Sequence, residues 1–172
     1  MPVGFGFDIH RLVARRRLVL GGVEIPHPKG LLGHSDGDAL LQALIDALLG
    51  AAGLGDIGTW FPDRDPANMG VSSVVLLEKV LRKLRSKWSV VNVDVTVVAE
   101  APRIGPHRDA IVHRLVAMLG TNRVSVKAKT MEGLGPIGAG KAIACFAVAE
   151  LKARGLRHKA SGGRARARPR KR

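Results

Sequence analysis

Apolar and polar residues alternate along this chain in two different periods. A period of two, typical of strands, is found over residues 2–10, 92–99, 124–130 and 141–151. Leu18–Leu20 and Val23–Ile25 predict a short hairpin that turns at the two glycines between them. The pattern therefore predicts strands near both ends of the chain and in its middle.

A helical period separates these strands. Helices are predicted over residues 36–51, 71–87 and 106–119, the first capped by Ser35 with Asp38 as its capping-box partner, and the third opened by Pro106. The resulting order, β-β-α-α-β-α-β-β, predicts an α+β fold in which a mixed sheet packs on helices.

Composition narrows the class of protein. The 172 residues are 46% apolar and include no tyrosine, which predicts one domain with an aliphatic core. No apolar run approaches the 18 residues of a membrane span, and the first residues do not resemble a signal peptide. A single cysteine, Cys145, excludes a disulfide framework within the chain and favours a cytoplasmic location.

The formal net charge of +14 is concentrated at one end. Nine Lys or Arg residues and no acid lie in residues 154–172, so the remainder carries only +5. We therefore predict a folded domain over 1–153 and a basic, disordered tail over 154–172. The tail is able to bind polyanions without specificity, but a solvated appendage is the favoured interpretation.

The first candidate for chemistry is the pair Asp8 and His10. Residues two apart in a strand point to the same face, so a carboxylate and an imidazole would lie side by side, as in a metal site. Seven acidic or histidine residues follow within residues 34–65, and they are His34, Asp36, Asp38, Asp46, Asp56, Asp63 and Asp65. The alternative is a strand end followed by a capped helix with polar tips.

Four segments appear in a recognisable order, GFGFDIH, GLLGHSDGDALLQALIDALLGAAGLGDIGTWFPDRD, NVDVTVVAEAPRIGPH and KAKTMEGLG. Together they resemble the 2-C-methyl-D-erythritol 2,4-cyclodiphosphate synthase family of the non-mevalonate isoprenoid pathway, over about residues 2–152. The resemblance implies a homotrimer around a central axis, with an active site at each subunit interface.

The resemblance also implies a reaction. A lyase of this family converts 4-diphosphocytidyl-2-C-methyl-D-erythritol 2-phosphate to the cyclic diphosphate and releases CMP. It uses one zinc-type ion (Zn²⁺ or Mn²⁺) and one Mg²⁺ or Mn²⁺ bound with the substrate diphosphate.

The resemblance assigns roles to individual residues. His34 and Thr130 match the catalytic pair, Asp8 and His10 match two ligands of the zinc-type ion, and Glu132 matches the acid at the second ion. The matched substrate-binding residues are Asp8, Ile9, His10, His34, Ser35, Asp56, Ile57, Gly58, Phe61, Asp63, Asp65, Ala99, Pro102, Arg103, Ile104, Gly105, Lys129, Thr130, Met131 and Glu132.

Several positions depart from the family pattern. Gln42 stands where the family has its third metal ligand, a histidine, and an amide oxygen is the weaker ligand for zinc. Lys129 replaces a small hydroxyl residue, and Pro136, Ala139 and Lys141 replace an aromatic, an arginine and a glutamate near the trimer axis.

These departures leave three hypotheses. The first is an active synthase with a reshaped metal site and reduced activity. The second is a catalytically impaired descendant that acts as a cytidine-nucleotide-binding trimer. The third assigns the function to the basic tail, and it ranks last because the tail has no aromatic residues interleaved with its charges.

Overall fold

The computed structural model describes residues 1–62 and 64–154. Asp63 and residues 155–172 lie outside this range. Most of the predicted tail is therefore outside the described residues, whereas Arg154 is inside them and its backbone N–H donates to the carbonyl of Lys87 at 2.8 Å.

A five-stranded sheet forms the centre of the fold. Its order is β4-β1-β7-β5-β6, and β5 and β6 are parallel whereas the other neighbours are antiparallel. The strands are β1 (Val3–Ala14), β4 (Lys29–Leu31), β5 (Trp88–Val98), β6 (Val124–Lys129) and β7 (Ala142–Ala153). The predicted hairpin, β2 (Leu18–Leu20) and β3 (Val23–Ile25), forms a separate two-stranded sheet. The α+β class with a mixed sheet is thus confirmed.

Helices cover one face of this sheet. The helices are α1 (Ala39–Ala52), α2 (Ile57–Trp60), α3 (Ser73–Leu84), α4 (Arg108–Leu119) and α5 (Gly135–Gly138). The central helix, α1, is apolar around most of its circumference and its leucines are fully buried, so it lies inside the aliphatic core. No helix of the described ranges is both long and apolar enough to cross a membrane.

Two helix starts differ from the sequence prediction. Asp38, not Ser35, is the N-cap of α1, because its carboxylate accepts the N–H of Leu41 while residues 32–38 remain a loop. Pro106 lies in a 3-10 turn, Gly105–His107, that precedes α4. A proline is compatible with the first positions of both a 3-10 turn and an α-helix, so the sequence could not distinguish the two.

The other face of the sheet carries exposed apolar side chains. Phe5 and Phe7 of β1 and Phe146 of β7 contact one another, with ring centroids 4.9 Å apart for Phe7 and Phe146. Phe5 is 63% exposed and Phe7 is 44% exposed. We call the surface formed by Val3, Phe5, Phe7, Phe146 and Val148 the open sheet face. An apolar surface of this kind typically marks an interaction site.

Candidate functional site

The site is built where β1 crosses α1. Gly4 and Gly6 bring the strand into direct contact with the helix backbone, since a Cβ added at Gly6 would lie 1.9 Å from the carbonyl oxygen of Ala43. Asp8 and His10 follow on the same face of β1, because side chains alternate along a strand. Because Gly4 and Gly6 have no side chains, β1 approaches α1 closely. The next two side chains on that face, those of Asp8 and His10, therefore lie beside the N-terminal half of α1.

Asp8 and His10 converge as the sequence predicted. The Oδ2 atom of Asp8 and the Nδ1 atom of His10 lie 2.8 Å apart. The two atoms form an ion pair with each other when His10 is protonated. Both atoms are buried, and neither has a hydrogen-bond partner within residues 1–62 and 64–154. Two buried donor atoms for a cation, close together and otherwise unsatisfied, fit a shared divalent ion.

Gln42 lines the same cavity from α1. Its Nε2 atom donates to the Oγ atom of Ser35 at 3.2 Å, which fixes the orientation of the amide. Within residues 1–62 and 64–154, no three His, Cys, Asp or Glu side chains cluster in a way that could hold a metal ion. The donors available beside Asp8 and His10 therefore include a neutral amide rather than a third charged or imidazole group.

The loop that carries His34 is held from two sides. Arg16 donates to the carbonyl oxygens of Gly33 and Ser35, at 3.3 and 3.0 Å. The carbonyl oxygen of His34 accepts the N–H of Gly70 at 2.8 Å. The imidazole itself is exposed and lines the cavity, so its backbone is fixed while its ring faces solvent.

Asp36 connects this loop to the start of α3. Its carboxylate accepts both side-chain hydroxyls and one backbone N–H from Ser72 and Ser73, at 2.6 to 3.1 Å. Asp36 was a candidate for chemistry in the acidic run, but its lone pairs are used in these structural contacts. It therefore positions the loop.

Asp38 is the most buried acid of the site. Its carboxylate accepts the N–H groups of Gly21, Gly22 and Leu41 at 2.7 to 3.0 Å. Burial raises the pKa of Asp38 to about 7, although these three donors oppose the shift. Asp38 joins the hairpin to α1 and has no exposed surface.

The cavity in front of these groups has a volume of about 720 Å³. Nine of the residues predicted from the sequence line this cavity. They come from β1, from the loop that carries His34, and from α1 and the α2 region. The predicted residues that line it are Asp8, Ile9, His10, His34, Ser35, Gln42, Ile57, Gly58 and Phe61.

Asp56 and Asp65, also predicted to bind substrate, cap short helical turns near the cavity. Asp56 caps α2 through the N–H of Thr59 at 2.7 Å, and this N–H together with the Thr59 side chain lowers the pKa of Asp56. Asp65 accepts the N–H of Ala67 at 2.9 Å and caps the 3-10 turn Pro66–Asn68. Asp63, predicted for the same pocket, lies outside the described residues.

A second group of predicted residues lies at the ends of β5 and β6. The N–H of Ala99 donates to the carbonyl of Lys129 at 2.9 Å, and that of Met131 to the Glu100 carboxylate at 3.2 Å. The Oγ1 atom of Thr130 donates to Oε1 of Glu132 at 2.5 Å, and Glu132 has a positive φ of 50°. Thr130 and Glu132 thus form one compact polar turn.

The 99–105 segment lies beside this turn. Ala99 and Ile104 are buried, Arg103 and Gly105 are exposed, and the peptide between Ala101 and Pro102 is cis. Ile104, Gly105 and Lys129 line a second cavity of about 410 Å³. None of the residues that line this second cavity lines the first. One chain therefore presents two separate halves of the predicted site.

The sequence analysis missed Arg16, and it named Asp46 in the acidic run without a structural role. Asp46 accepts the N–H of Ile57 at 2.7 Å and so orients α2. Burial raises the pKa of Asp46, and the negative charges of Asp56 and Asp8 add to this effect. The spacing of Gln42 and Asp46 on one helix face was a usable signal, whereas nothing in the sequence around Arg16 indicated its contact with the His34 loop.

The chain matches one family of known proteins over its folded length. A family model described as the YgbB family matches residues 1–152. The 2-C-methyl-D-erythritol 2,4-cyclodiphosphate synthase of Desulfatibacillum aliphaticivorans is 54% identical over 155 residues, which cover 88% of this chain and 100% of the relative. A solved structure of a synthase of the same name, in a CDP-bound form, is 41% identical with a TM-score of 0.79 over 87% of this chain and 99% of that chain.

A relative of different length also matches. The bifunctional enzyme IspD/IspF of Desulforudis audaxviator is 55% identical over 153 residues, which are 87% of this chain but only 39% of the relative. This chain therefore spans about two fifths of the bifunctional relative and the full length of the single-function one. On the family match and this near-complete coverage, the chain belongs to the YgbB family, that of the 2-C-methyl-D-erythritol 2,4-cyclodiphosphate synthases.

Proposed function

We propose that this chain is a lyase of isoprenoid precursor biosynthesis that converts 4-diphosphocytidyl-2-C-methyl-D-erythritol 2-phosphate to 2-C-methyl-D-erythritol 2,4-cyclodiphosphate and CMP. The observation that carries the proposal is the cavity that joins the unsatisfied Asp8–His10 pair to His34, in a chain more than half identical to named synthases along its folded length. A CDP-bound relative supports a cytidine-type ligand for this chain too.

The reaction is an intramolecular phosphoryl transfer. An oxygen of the 2-phosphate attacks the β-phosphorus, and the bond from that phosphorus to the oxygen shared with the α-phosphate breaks. CMP leaves with that oxygen and the electron pair, so no water is consumed and a cyclic diphosphate forms. Catalysis of such a transfer depends on alignment of the two phosphates and on stabilisation of the charge that develops between them.

His34 and Thr130 provide this stabilisation in the proposal. Each carries a hydrogen-bond donor that can face the equatorial oxygens of the reacting phosphorus, one from the first cavity and one from the 130–132 turn. Donors that are fixed before the reaction act on the developing charge at little reorganisation cost. The backbone contacts of His34 supply that fixation. The single O–H of Thr130 donates to Glu132 in this structure, so it must turn from Glu132 to the phosphate when Glu132 binds the second ion.

Asp8, His10 and Gln42 would hold one divalent ion, of the Zn²⁺ or Mn²⁺ type. Glu132 would bind a second ion, Mg²⁺ or Mn²⁺, together with the substrate diphosphate. Such ions neutralise phosphate oxygens and hold them in line. The two unsatisfied atoms of Asp8 and His10 are the observation that supports the first position.

The remaining predicted residues bind two different parts of the substrate. Asp56, Ile57, Gly58 and Phe61 surround the methylerythritol part in the first cavity, and the resemblance assigns Asp63 and Asp65 to the same part of the substrate. The 99–105 segment and Lys129 to Glu132 form the wall for the cytidine and its phosphates. Arg103 and Lys129 add positive charge to that wall, which favours binding of the diphosphate.

A homotrimer around a central axis would complete the site. In one chain His34 lines the first cavity, whereas Thr130 belongs to the 130–132 turn and does not line that cavity. A neighbouring copy of the chain is therefore the simplest source of the other half of each site. The open sheet face offers an apolar surface for such an assembly. We place the enzyme in the cytoplasm, since its one cysteine, Cys145, is buried and unpaired.

The comparisons give no support to a catalytically impaired descendant. Single-function relatives that are more than half identical are named as synthases, and the cavity retains Asp8, His10 and His34. The cytidine-nucleotide-binding trimer without turnover is therefore kept only as the alternative outcome of the experiment that follows.

The test is release of CMP by the purified full chain from the cytidine diphosphate substrate, with Mg²⁺ and either Zn²⁺ or Mn²⁺ present. We expect turnover, and we expect His34→Ala and Thr130→Ala each to lower kcat by about 10²–10³, the size of one lost transition-state donor. Binding of CDP should change little in His34→Ala, because His34 lines the first cavity and is not part of the wall for the cytidine and its phosphates. CDP binding without CMP release by the unaltered chain would contradict the synthase assignment and favour the binding-module alternative.

A further inference from the structure

We propose that Gln42 makes the divalent-ion site of this chain an oxygen-biased site, with one imidazole nitrogen and two oxygens as its protein donors. Such a site discriminates less strongly in favour of Zn²⁺ over Mn²⁺ than a site with two imidazoles. The inference rests on the proposed function for the presence of the ion, and it specifies the chemistry of the ion that the site accepts.

The first step is geometric. Asp8 and His10 present two buried, unsatisfied atoms 2.8 Å apart at the wall of the 720 Å³ cavity. Gln42 lines the same cavity from α1, so three side chains from two elements surround one space. The exposed fractions of the His10 and Asp8 side chains are 14% and 21%, so part of each side chain reaches the cavity although these two atoms are buried.

The second step concerns the orientation of the amide. The Nε2 atom of Gln42 is engaged by the Oγ atom of Ser35 at 3.2 Å. Ser35 also accepts the N–H of Gly37 and lies near the hydroxyl of Ser73, so it is held in place by its own contacts. With its nitrogen committed to Ser35, Gln42 has the carbonyl oxygen as its remaining polar atom, and that atom is a metal donor.

The third step concerns the preferences of the ions. Imidazole suits Zn²⁺, whereas carboxylate and carbonyl oxygens suit Mg²⁺ and Mn²⁺. Zn²⁺ still binds most nitrogen and oxygen sites more tightly than Mn²⁺ does, so the informative quantity is the ratio of the two affinities. A nearby negative charge also favours any cation here, because Asp46 lies close enough to Asp8 for their charges to interact.

The experiment measures ion binding without substrate, on the full chain stripped with a chelator. Mn²⁺ binding is followed by the loss of the free-ion EPR signal, and Zn²⁺ affinity is obtained by competition against bound Mn²⁺. The variants are Gln42→His, which supplies an imidazole, and Gln42→Leu, which removes the oxygen at nearly constant volume. Asp8→Asn shows that the signal reports on this site, because it should weaken both ions.

We expect the Zn²⁺-to-Mn²⁺ affinity ratio to be at least about ten-fold smaller in the unaltered chain than in Gln42→His. Gln42→Leu should weaken Mn²⁺ binding by about ten-fold or more. Equal affinity ratios in the unaltered chain and Gln42→His would overturn the proposal, as would Mn²⁺ affinity in Gln42→Leu equal to that of the unaltered chain. CMP release is assayed separately, so failure of the ion preference is distinguishable from failure of the synthase assignment.

Discussion

At the scale of single residues, Asp38 shows the strongest conflict between burial and charge. It is fully buried at the start of α1, and three backbone N–H groups converge on it. The donors stabilise the carboxylate, while loss of water destabilises it, and the balance raises its pKa to about 7. Asp38 therefore makes the stability of the fold depend on pH in a range where most carboxylates do not titrate.

The sign of this dependence follows from linkage. The pKa of Asp38 is higher in the folded state than the ordinary value of 3.8, so between these values the folded state binds more protons. The free energy of unfolding should therefore fall as pH rises from about 4 to about 7, by at most about 4 kcal/mol from this group. Urea denaturation across this range measures it.

Asp38→Asn is the matched variant. An amide cannot ionise, so this variant should lack the Asp38 contribution to the pH dependence. Near pH 4 it should be less stable than the unaltered chain by about 1–3 kcal/mol, because an amide NH₂ would face one of the three N–H donors. This difference should shrink or reverse toward pH 7, because only the unaltered chain loses stability as Asp38 ionises. Parallel pH profiles for the two proteins would show that Asp38 does not titrate in this window.

The residue scale also shows what sequence can predict about a site. Asp8 and His10 were predictable as a pair, because their proximity follows from strand periodicity alone. The role of Asp38 was not predictable, because its partners Gly21 and Gly22 lie 16 and 17 residues away and are brought near by the hairpin. Contacts set by local geometry can be read from sequence, whereas contacts set by tertiary packing cannot.

At the scale of elements, the contact between β1 and α1 positions everything around the cavity. The sequence indicated the apolar stripe of α1 correctly, but Gly4 and Gly6 appeared only as residues that weaken a strand. In the structure they are the places where strand and helix backbones touch. A glycine gives the same local signal whether it weakens a strand or permits close approach, so only the packing partner distinguishes the two.

This contact predicts a severe effect of a single methyl group. Gly6→Ala would place a Cβ 1.9 Å from the carbonyl oxygen of Ala43 and 2.7 Å from the nitrogen of Ala47, so the helix and strand must separate. We expect a loss of more than about 2 kcal/mol in the free energy of unfolding, measured by chemical denaturation. Metal binding at Asp8 and His10 should weaken as well.

Gly50→Ala, in helix α1, is the control for Gly6→Ala. Gly50 lies in α1, is exposed, and has no atom within 4 Å of an added Cβ. This substitution should be neutral or should stabilise the protein by about 0.5–1 kcal/mol, because alanine favours helix. Equal effects of the two substitutions would mean that the close contact at Gly6 does not determine the spacing of strand and helix.

At the scale of the whole molecule, the structure has one covered and one uncovered sheet face. The covered face contains the aliphatic core and the site, and the open sheet face presents three phenylalanines to solvent. Sequence periodicity predicted a sheet packed on helices, but it could not show that the phenylalanines of β1 lie on its exposed face and the glycines on its helix-facing side. The separation of the two halves of the site was likewise invisible, because it depends on the strand order.

The proposed trimer gives the open sheet face a partner. Light scattering of the full chain should give about three times the mass of one chain at micromolar concentration. Phe7→Asp should reduce this mass, because it would bury an unpaired charge beside Phe146 in any assembly through this face. Val75→Asp is the control, since Val75 is 41% exposed on α3 and not on the open sheet face. A monomeric unaltered chain, or an unchanged mass in Phe7→Asp, would contradict assembly through this face.

The location of His34 and Thr130 in separate halves of one chain has a genetic consequence. In the proposed trimer, an allele that has lost His34 still encodes an intact 130–132 turn, and an allele that has lost Thr130 still encodes an intact first cavity. Co-expressed in one cell, the two defective alleles would complement each other, because some mixed interfaces receive both intact halves. Two alleles damaged in the same half would not, so pairwise crosses alone would sort every inactivating mutation into one of two complementation groups.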